Sequence, residues 1–253
     1  MTRWLTGVRG GWLLPAILST TAGAVDVIGF LALGGLFSAH ITGNLVVVAA
    51  HYVTGSFGEV GPLLSVPVFV VVLGAVTLAS GTIERAGYGS RRALLVLQAA
   101  LLAACLGLGV GLGPFANADS PMAVLAGMFA VAAMATQNAL VRLALPGAPS
   151  TAVMTTNTTQ LTIDLATLVG RWGEPEDLAK ARRRASLTLP CVVGFVVGCA
   201  AGAILEVRFG LWALALPLIL AALAILLGEL WTGARSPRLV CATGEGNERV
   251  NAS

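Results

Sequence analysis

Between residues 12 and 230 the chain turns apolar for about twenty residues at a time, the length an α-helix needs to cross a hydrocarbon core of about 30 Å. Six stretches meet that length: 12–35, 62–81, 92–113, 121–145, 186–205 and 211–230. Of the 253 residues only 11% are charged and 57% are apolar. A soluble domain carries about a quarter charged residues, because its surface must meet water. The composition therefore excludes a soluble enzyme, a disordered tail and a nucleic-acid binder. It leaves an all-α polytopic membrane protein with short links, a single membrane domain across 1–253 with a polar C-terminal tail at 231–253.

Arg3 and Arg9 ahead of an apolar run that reaches Ala22-Gly23-Ala24 imitate a cleavable signal peptide. The run continues past Asp26 to Phe37, so cleavage there would leave too little to span, and the stretch reads as the first membrane helix. Cys105, Cys191 and Cys199 lie inside apolar runs and, with Cys241, show no metal spacing. They read as small buried hydrophobes rather than a disulfide frame.

Two further stretches are anomalous. Residues 38–53 are apolar but reach only about 24 Å as a helix. Residues 150–169 are long enough, yet open on Thr-Ala-Val-Met-Thr-Thr-Asn-Thr-Thr-Gln, too polar to face lipid. The two resemble each other. Leu31-Ala32-Leu33-Gly34-Gly35 then Ile41-Thr42-Gly43-Asn44 parallels Leu143-Ala144-Leu145-Pro146-Gly147 then Met154-Thr155-Thr156-Asn157, at an offset of 112 residues that becomes 113. At these offsets Asp26 falls opposite Asn138 and His51 opposite Asp164. Two clean spans follow each copy, which predicts a duplication with repeats at 12–113 and 121–230.

Basic residues orient the copies. If both short helices are re-entrant and six helices cross, with the N-terminus inside, fourteen of the fifteen basic residues fall on the inner face and only Arg208 outside. If all eight cross, the division is ten to five. The positive-inside rule favours six crossings. Three crossings per copy invert the second repeat relative to the first, an architecture of transporters and channels; eight would make the repeats parallel.

Several polar groups then need a reason to be in a membrane. Asp26 lies mid-span and costs roughly 2.5–3.5 kcal/mol there unless it faces the interior, finds a partner or takes up a proton. It reads either as a proton or cation site or as a carboxyl that ties helices together. Thr42-Gly43-Asn44 and Thr155-Thr156-Asn157 sit near the starts of the short helices, where free N–H groups suit an anion or a carbonyl dipole and Gly43 admits close backbone approach. They read as substrate-binding residues, with helix capping as the plain alternative; in inverted copies Asn44 and Asn157 would meet near the midplane. Gln137 and Asn138 are expected to hydrogen-bond to Asp26 or to the short helices. Arg142 can snorkel from the inner end of its span. Thr151, Thr155, Thr158 and Thr162 follow helical spacing as one hydroxyl face, with Asp164 beyond it.

His40 adjoins the first triplet and can carry a proton near neutral pH. His40 and His51 make no metal motif, so neither metal nor cofactor is expected. Gly194, Gly198 and Gly202 recur at every fourth position, which permits close helix contact, either internal or in a homodimer. The stretch 171–184 reads as an inner-face loop beside anionic lipid. No phosphate loop, nucleophile elbow or aqueous carboxylate pair is present, so an enzyme is not expected.

Ala-Gly-Ala-Val-Asp-Val-Ile-Gly-Phe (22–30), the run 37–45 containing His-Ile-Thr-Gly-Asn, and Met-Ala-Thr-Gln-Asn-Ala-Leu-Val-Arg (134–142) before a Thr-rich stretch resemble the YoaK family, also known as domain of unknown function 1275. The likeness covers roughly residues 12–232, and Thr156 departs from it by standing where Gly43 stands in the first copy. It implies a bacterial inner-membrane protein and carries over no substrate. The residues themselves point to a transporter of a small polar solute or ion, with Asp26, Gln137, Asn138, His40 and Asp164 as its proton or coupling residues, and both termini cytoplasmic. A passive channel and a non-transporting adaptor are the alternatives.

Overall fold

The computed structural model describes residues 11–54, 60–86 and 89–228. Arg3, Arg9, Cys241 and the tail at 231–253 lie outside the described residues. Those described are helical with connecting turns: α1 (Leu13–Ala32), α2 (Ile41–Thr54), α3 (Val60–Arg85), α4 (Ser90–Leu112), α5 (Pro121–Ala144), α6 (Met154–Gly170), α7 (Pro175–Phe209), a 3-10 segment (Gly210–Leu214) and α8 (Ala215–Gly228). Five helical stretches are long and apolar enough to cross a membrane: α1, α3, α4, α5 and the 54-residue run from Pro175 to Gly228. This is a multi-pass membrane protein.

That last run would be about 80 Å long if straight. It is instead two arms, because Gly210 adopts φ 57°, a left-handed conformation that glycine reaches without Cβ strain. Leu211 packs at Gly109 and Gly113, at the end of α4, while the Gly228 carbonyl accepts from Arg91 Nη1 at 2.7 Å, at the start of α4. The second arm therefore runs antiparallel to α4.

The most buried helices are α1 and α5. Helix α1 packs on α7 and α8, and α5 packs on α3 and α4; α2 lies on α3, α6 on α7, and α4 meets α8. Leu18, Ile28, Leu36, Met134 and Leu140 fill the interior. Val70, Val71, Leu78, Val196, Ile204 and Leu226 face outward, as an apolar solvent allows. Four hydroxyls in the spans bond within their own helix: Thr20 to the Ala16 carbonyl, Thr21 to Ile17, Ser80 to Val76 and Thr136 to Ala132. Lipid offers no partner, so the i−4 carbonyl supplies one.

The α1–α7 contact is made by glycine. A Cβ on Gly194 would stand 2.7 Å from the Ala16 carbonyl, one on Gly198 would overlap the Thr20 carbonyl, and one on Gly202 would approach Val27 and Ala24. Gly23 faces Phe195 and Cys199 in return. The glycine row is thus occupied by an internal helix contact, and a homodimer cannot use that face while α1 covers it.

Helix boundaries follow the expected spans except at α7. The stretch expected as a loop, 171–184, is helical from Pro175 onward. Proline at the first position, Glu176 and Asp177 in the first turn, and the Lys180–Glu176 pair at 2.9 Å are all helix-start features, and they outweigh the charge density that suggested a loop.

Candidate functional site

After α1 the chain doubles back. Gly34 and Gly35 take positive φ (68° and 74°), and the backbone of residues 36–40 descends along α1 before α2 begins. The turn brings Ser38 N–H and Ala39 N–H onto Asp26 Oδ1 at 2.8 and 2.6 Å, and His40 Nδ1 onto Asp26 Oδ2 at 2.6 Å. Asp26 is buried, and its cost inside an apolar bundle is offset by these three partners. The hydrogen bond to the carboxylate holds the His40 imidazole above its ordinary pKa, with burial pulling the other way. Phe37 and Phe195 pack edge-on against the ring.

Asn44 closes the same turn. Its Oδ1 accepts from Phe37 N–H at 2.9 Å, and its Nδ2 donates to the Phe37 carbonyl and to Ser65 Oγ, both at 2.7 Å. Gly43 allows this closure: a Cβ there would lie 3.1 Å from the Phe37 ring. Its neighbour on the open side is thus an aromatic side chain of the protein itself. Thr42 is exposed.

The turn between α5 and α6 repeats one element of this design. Gly147 takes φ 81°, and Asn157 Nδ2 donates to the Ser150 carbonyl at 2.6 Å, seven residues back, as Asn44 does to Phe37. The surroundings differ. A cavity of about 390 Å³ opens between α5, α6 and α7, lined by Asn138, Arg142, Asn157, Gln160, Arg184 and Thr188 among others. Thr156 is on its wall and Thr155 is exposed elsewhere. Asp164 is buried behind the cavity and held by Arg184, Nη2 to Oδ1 at 2.6 Å and Nε at 3.1 Å, with Gln160 Nε2 at 3.1 Å.

Three expected arrangements are corrected. Gln137 reaches the polar stretch 150–169, as one of its two expected partners, but not Asp26: its Nε2 donates to the Leu18 carbonyl and Thr151 Oγ1, both at 2.9 Å, and its Oε1 accepts from Gln98 at 2.7 Å. Leu18 lies two turns before Asp26 on α1, so the crossing of α1 and α5 sets Gln137 about 12 Å below the carboxylate. Asn138 instead donates to the Met134 carbonyl in its own helix. Thr151 leaves the expected hydroxyl face, because α6 starts only at Met154; Thr155, Thr158 and Thr162 are exposed, and the face that meets the cavity is Thr156, Asn157 and Gln160. Asn44 and Asn157 sit in separate turns rather than against each other.

Three participants were not anticipated. Gln98 was a lone amide in an otherwise apolar run, a signal of a bundle-interior position. Ser65 and Thr188 each stand two residues before an in-helix proline, Pro67 and Pro190, a match that could have paired them. Among the described residues no group of three or more His, Cys, Asp or Glu side chains is placed to hold a metal ion.

The family model described as a protein of unknown function, DUF1275, matches residues 14–227. The chain belongs to the DUF1275 family. Neither a curated protein nor a solved structure matches it. The matched region of this DUF1275 protein includes both folded-back turns, the Asp26–His40 pair and the cavity.

Proposed function

We propose that this DUF1275 protein is a bacterial inner-membrane transporter of a small polar solute or ion, built as an inverted duplication of six crossing helices and two re-entrant ones. The observation that carries the reading is the pair of folded-back turns, each fastened by an asparagine amide to a carbonyl seven residues earlier. Irregular backbone at membrane depth is tolerated where it is buried in protein or lines a wet cavity, and transporters place their sites there.

Packing supports the duplication: with the 3-10 segment counted as part of α8, exchanging α1–α4 for α5–α8 leaves the set of helix neighbours unchanged. Contacts at the helix ends support re-entry. Gly34, after α1, adjoins Ala118, and Val60 N–H, at the start of α3, donates to Asp119 at 2.8 Å. The end of α1 and the start of α3 thus gather at the α4–α5 link, so α2 enters and leaves on one side. Around the cavity, the end of α5 meets Arg184 and Thr188 of α7 in the same way. The Asp26–His40 pair is the group we assign to coupling, because it sets an imidazole that can carry a proton on a carboxylate buried inside the bundle.

The reading is tested on a chain stripped of its four cysteines, with single ones introduced as Gly61→Cys or Gly89→Cys and whole cells treated with an impermeant thiol reagent. Labelling of Gly61→Cys alone is expected. Labelling of Gly89→Cys alone would mean that α2 crosses, and the re-entrant architecture would fall. In proteoliposomes, solute uptake should depend on an imposed proton gradient and lose that dependence in Asp26→Asn. Uptake indifferent to the gradient in both would assign a passive channel, and no uptake would return the adaptor reading.

A further inference from the structure

The two halves place the same kinds of residue at their turns, yet one is closed and the other is open. In the first, Asn44 Nδ2 bonds directly to Ser65 Oγ, which itself donates to the Pro62 carbonyl at 2.6 Å. In the second, the corresponding pair is Asn157 and Thr188, each hydroxyl-bearing residue being two before its helix proline. Both line the cavity, and no hydrogen bond joins them. Thr188 is only 5% exposed and its hydroxyl makes no hydrogen bond among the described residues; Asn157 is 4% exposed, and its Oδ1 is likewise unengaged. The two residues are almost wholly covered by the protein except where they open on the cavity, so a solute entering it meets a hydroxyl and an amide oxygen with no protein partner.

The charge around them selects the ligand. Arg142 lines the cavity with no ion-pair partner among the described residues. Arg184 also lines the cavity, but its charge is spent on Asp164 through Nε and Nη2. No carboxylate lines the cavity, since Asp164 is buried behind it. The N-terminal end of α6, which carries a positive partial charge, opens on the same side. Opposite Arg142 at the repeat offset the first half has Phe30, packed at a tilt against Phe37 with ring centroids 5.1 Å apart, so cation and opening occur together in one half only.

We infer that the cavity between α5, α6 and α7 binds a small anionic solute, a carboxylate or an oxyanion, with Arg142 balancing its charge and Thr188 and the Asn138 and Asn157 amides fixing its orientation. This rests on the transport reading only for its physiological meaning; binding itself is independent of it.

The full chain in detergent is titrated with sodium acetate, phosphate and sulfate against a chloride background of constant ionic strength, and with glycerol and tetramethylammonium chloride, while thermal unfolding and titration heat are followed. At least one carboxylate or oxyanion is expected to bind saturably. Apparent affinity should fall at least tenfold in Arg142→Gln, recover in part in Arg142→Lys, fall several-fold in Thr188→Val and stay unchanged in Ser65→Ala. Absence of binding by all three anions to the folded chain, preference for the cation or the polyol, or affinity that survives Arg142→Gln would each overturn the inference. Anion binding without solute uptake would keep this site and remove the transport reading. Uptake of an uncharged or cationic solute without anion binding would do the reverse.

Discussion

Fourteen residues separate Asp26 from His40 in the chain, and 2.6 Å separates their side chains. The distance exists because Gly34 and Gly35 let the chain reverse at the end of α1, so a residue beyond the helix returns to its middle. A carboxylate that would be costly alone becomes the anchor of a turn.

The His40 contribution depends on pH in a definite direction. Its pKa is raised in the folded protein, so the stabilisation from pairing is complete below the unfolded value of about 6.5 and is lost as pH rises through the folded one. Thermal unfolding in detergent should therefore show a midpoint that declines as pH is raised from about 6 to about 9. The decline should flatten in His40→Gln. An equal slope in both proteins would place its origin elsewhere.

Replacing Asp26 separates its charge from its role as acceptor. Asp26→Ala deprives the Ser38 and Ala39 N–H groups of their acceptor, at about 1–3 kcal/mol for each buried donor left unpaired. Asp26→Asn keeps an oxygen for those donors and loses mainly the charged contact to His40, about 1.5–3 kcal/mol. Unfolding midpoints in the order wild type, Asn, Ala are expected, and Ala equal to Asn would show that the turn does not depend on this oxygen.

The two asparagines should differ. Asn44 makes three hydrogen bonds that hold a turn and a neighbouring helix, whereas Asn157 makes one short bond, to Ser150. At about 1 kcal/mol for each net bond, Asn44→Ala should cost about 3 kcal/mol and Asn157→Ala about 1. The comparison is read from unfolding midpoints, and equal losses would contradict the asymmetry between a locked turn and an open one.

Glycine substitutions should give opposite signs. Gly198→Ala drives a methyl into the Thr20 backbone, which cannot move aside as a flexible side chain would, and should lose about 1–3 kcal/mol. Gly107 has open space around it, so Gly107→Ala should gain up to about 1 kcal/mol from helix propensity. Losses of similar size in both would mean that the α1–α7 approach is not as close as described.

The spans were legible because a hydrocarbon solvent demands about twenty apolar residues, and α4 and α5 begin and end within two residues of the expected limits. The short polar helices were legible from the internal likeness between their Asn44 and Asn157 segments. Their partners were not. Asp26 meets His40 only because a turn reverses direction, and Gln137 meets Leu18 only because two helices cross at a particular height; neither relation is encoded in spacing along one helix. The start of α7 was misjudged because Arg182, Arg183 and Arg184 looked like a solvated link, although Arg184 in fact clamps the buried Asp164.

The contact between α1 and α7 also limits how this molecule can rearrange. Helices separated by a layer of side chains can slide, since rotamers readjust as they pass. Here Gly194 and Gly198 set one backbone directly on another, and sliding by a turn would drive carbonyls through each other. The two helices form a single stiff keel. Any rearrangement has to carry α1 and α7 together, and α6 is fastened to the same unit, because Arg184 of α7 grips Asp164 in its middle.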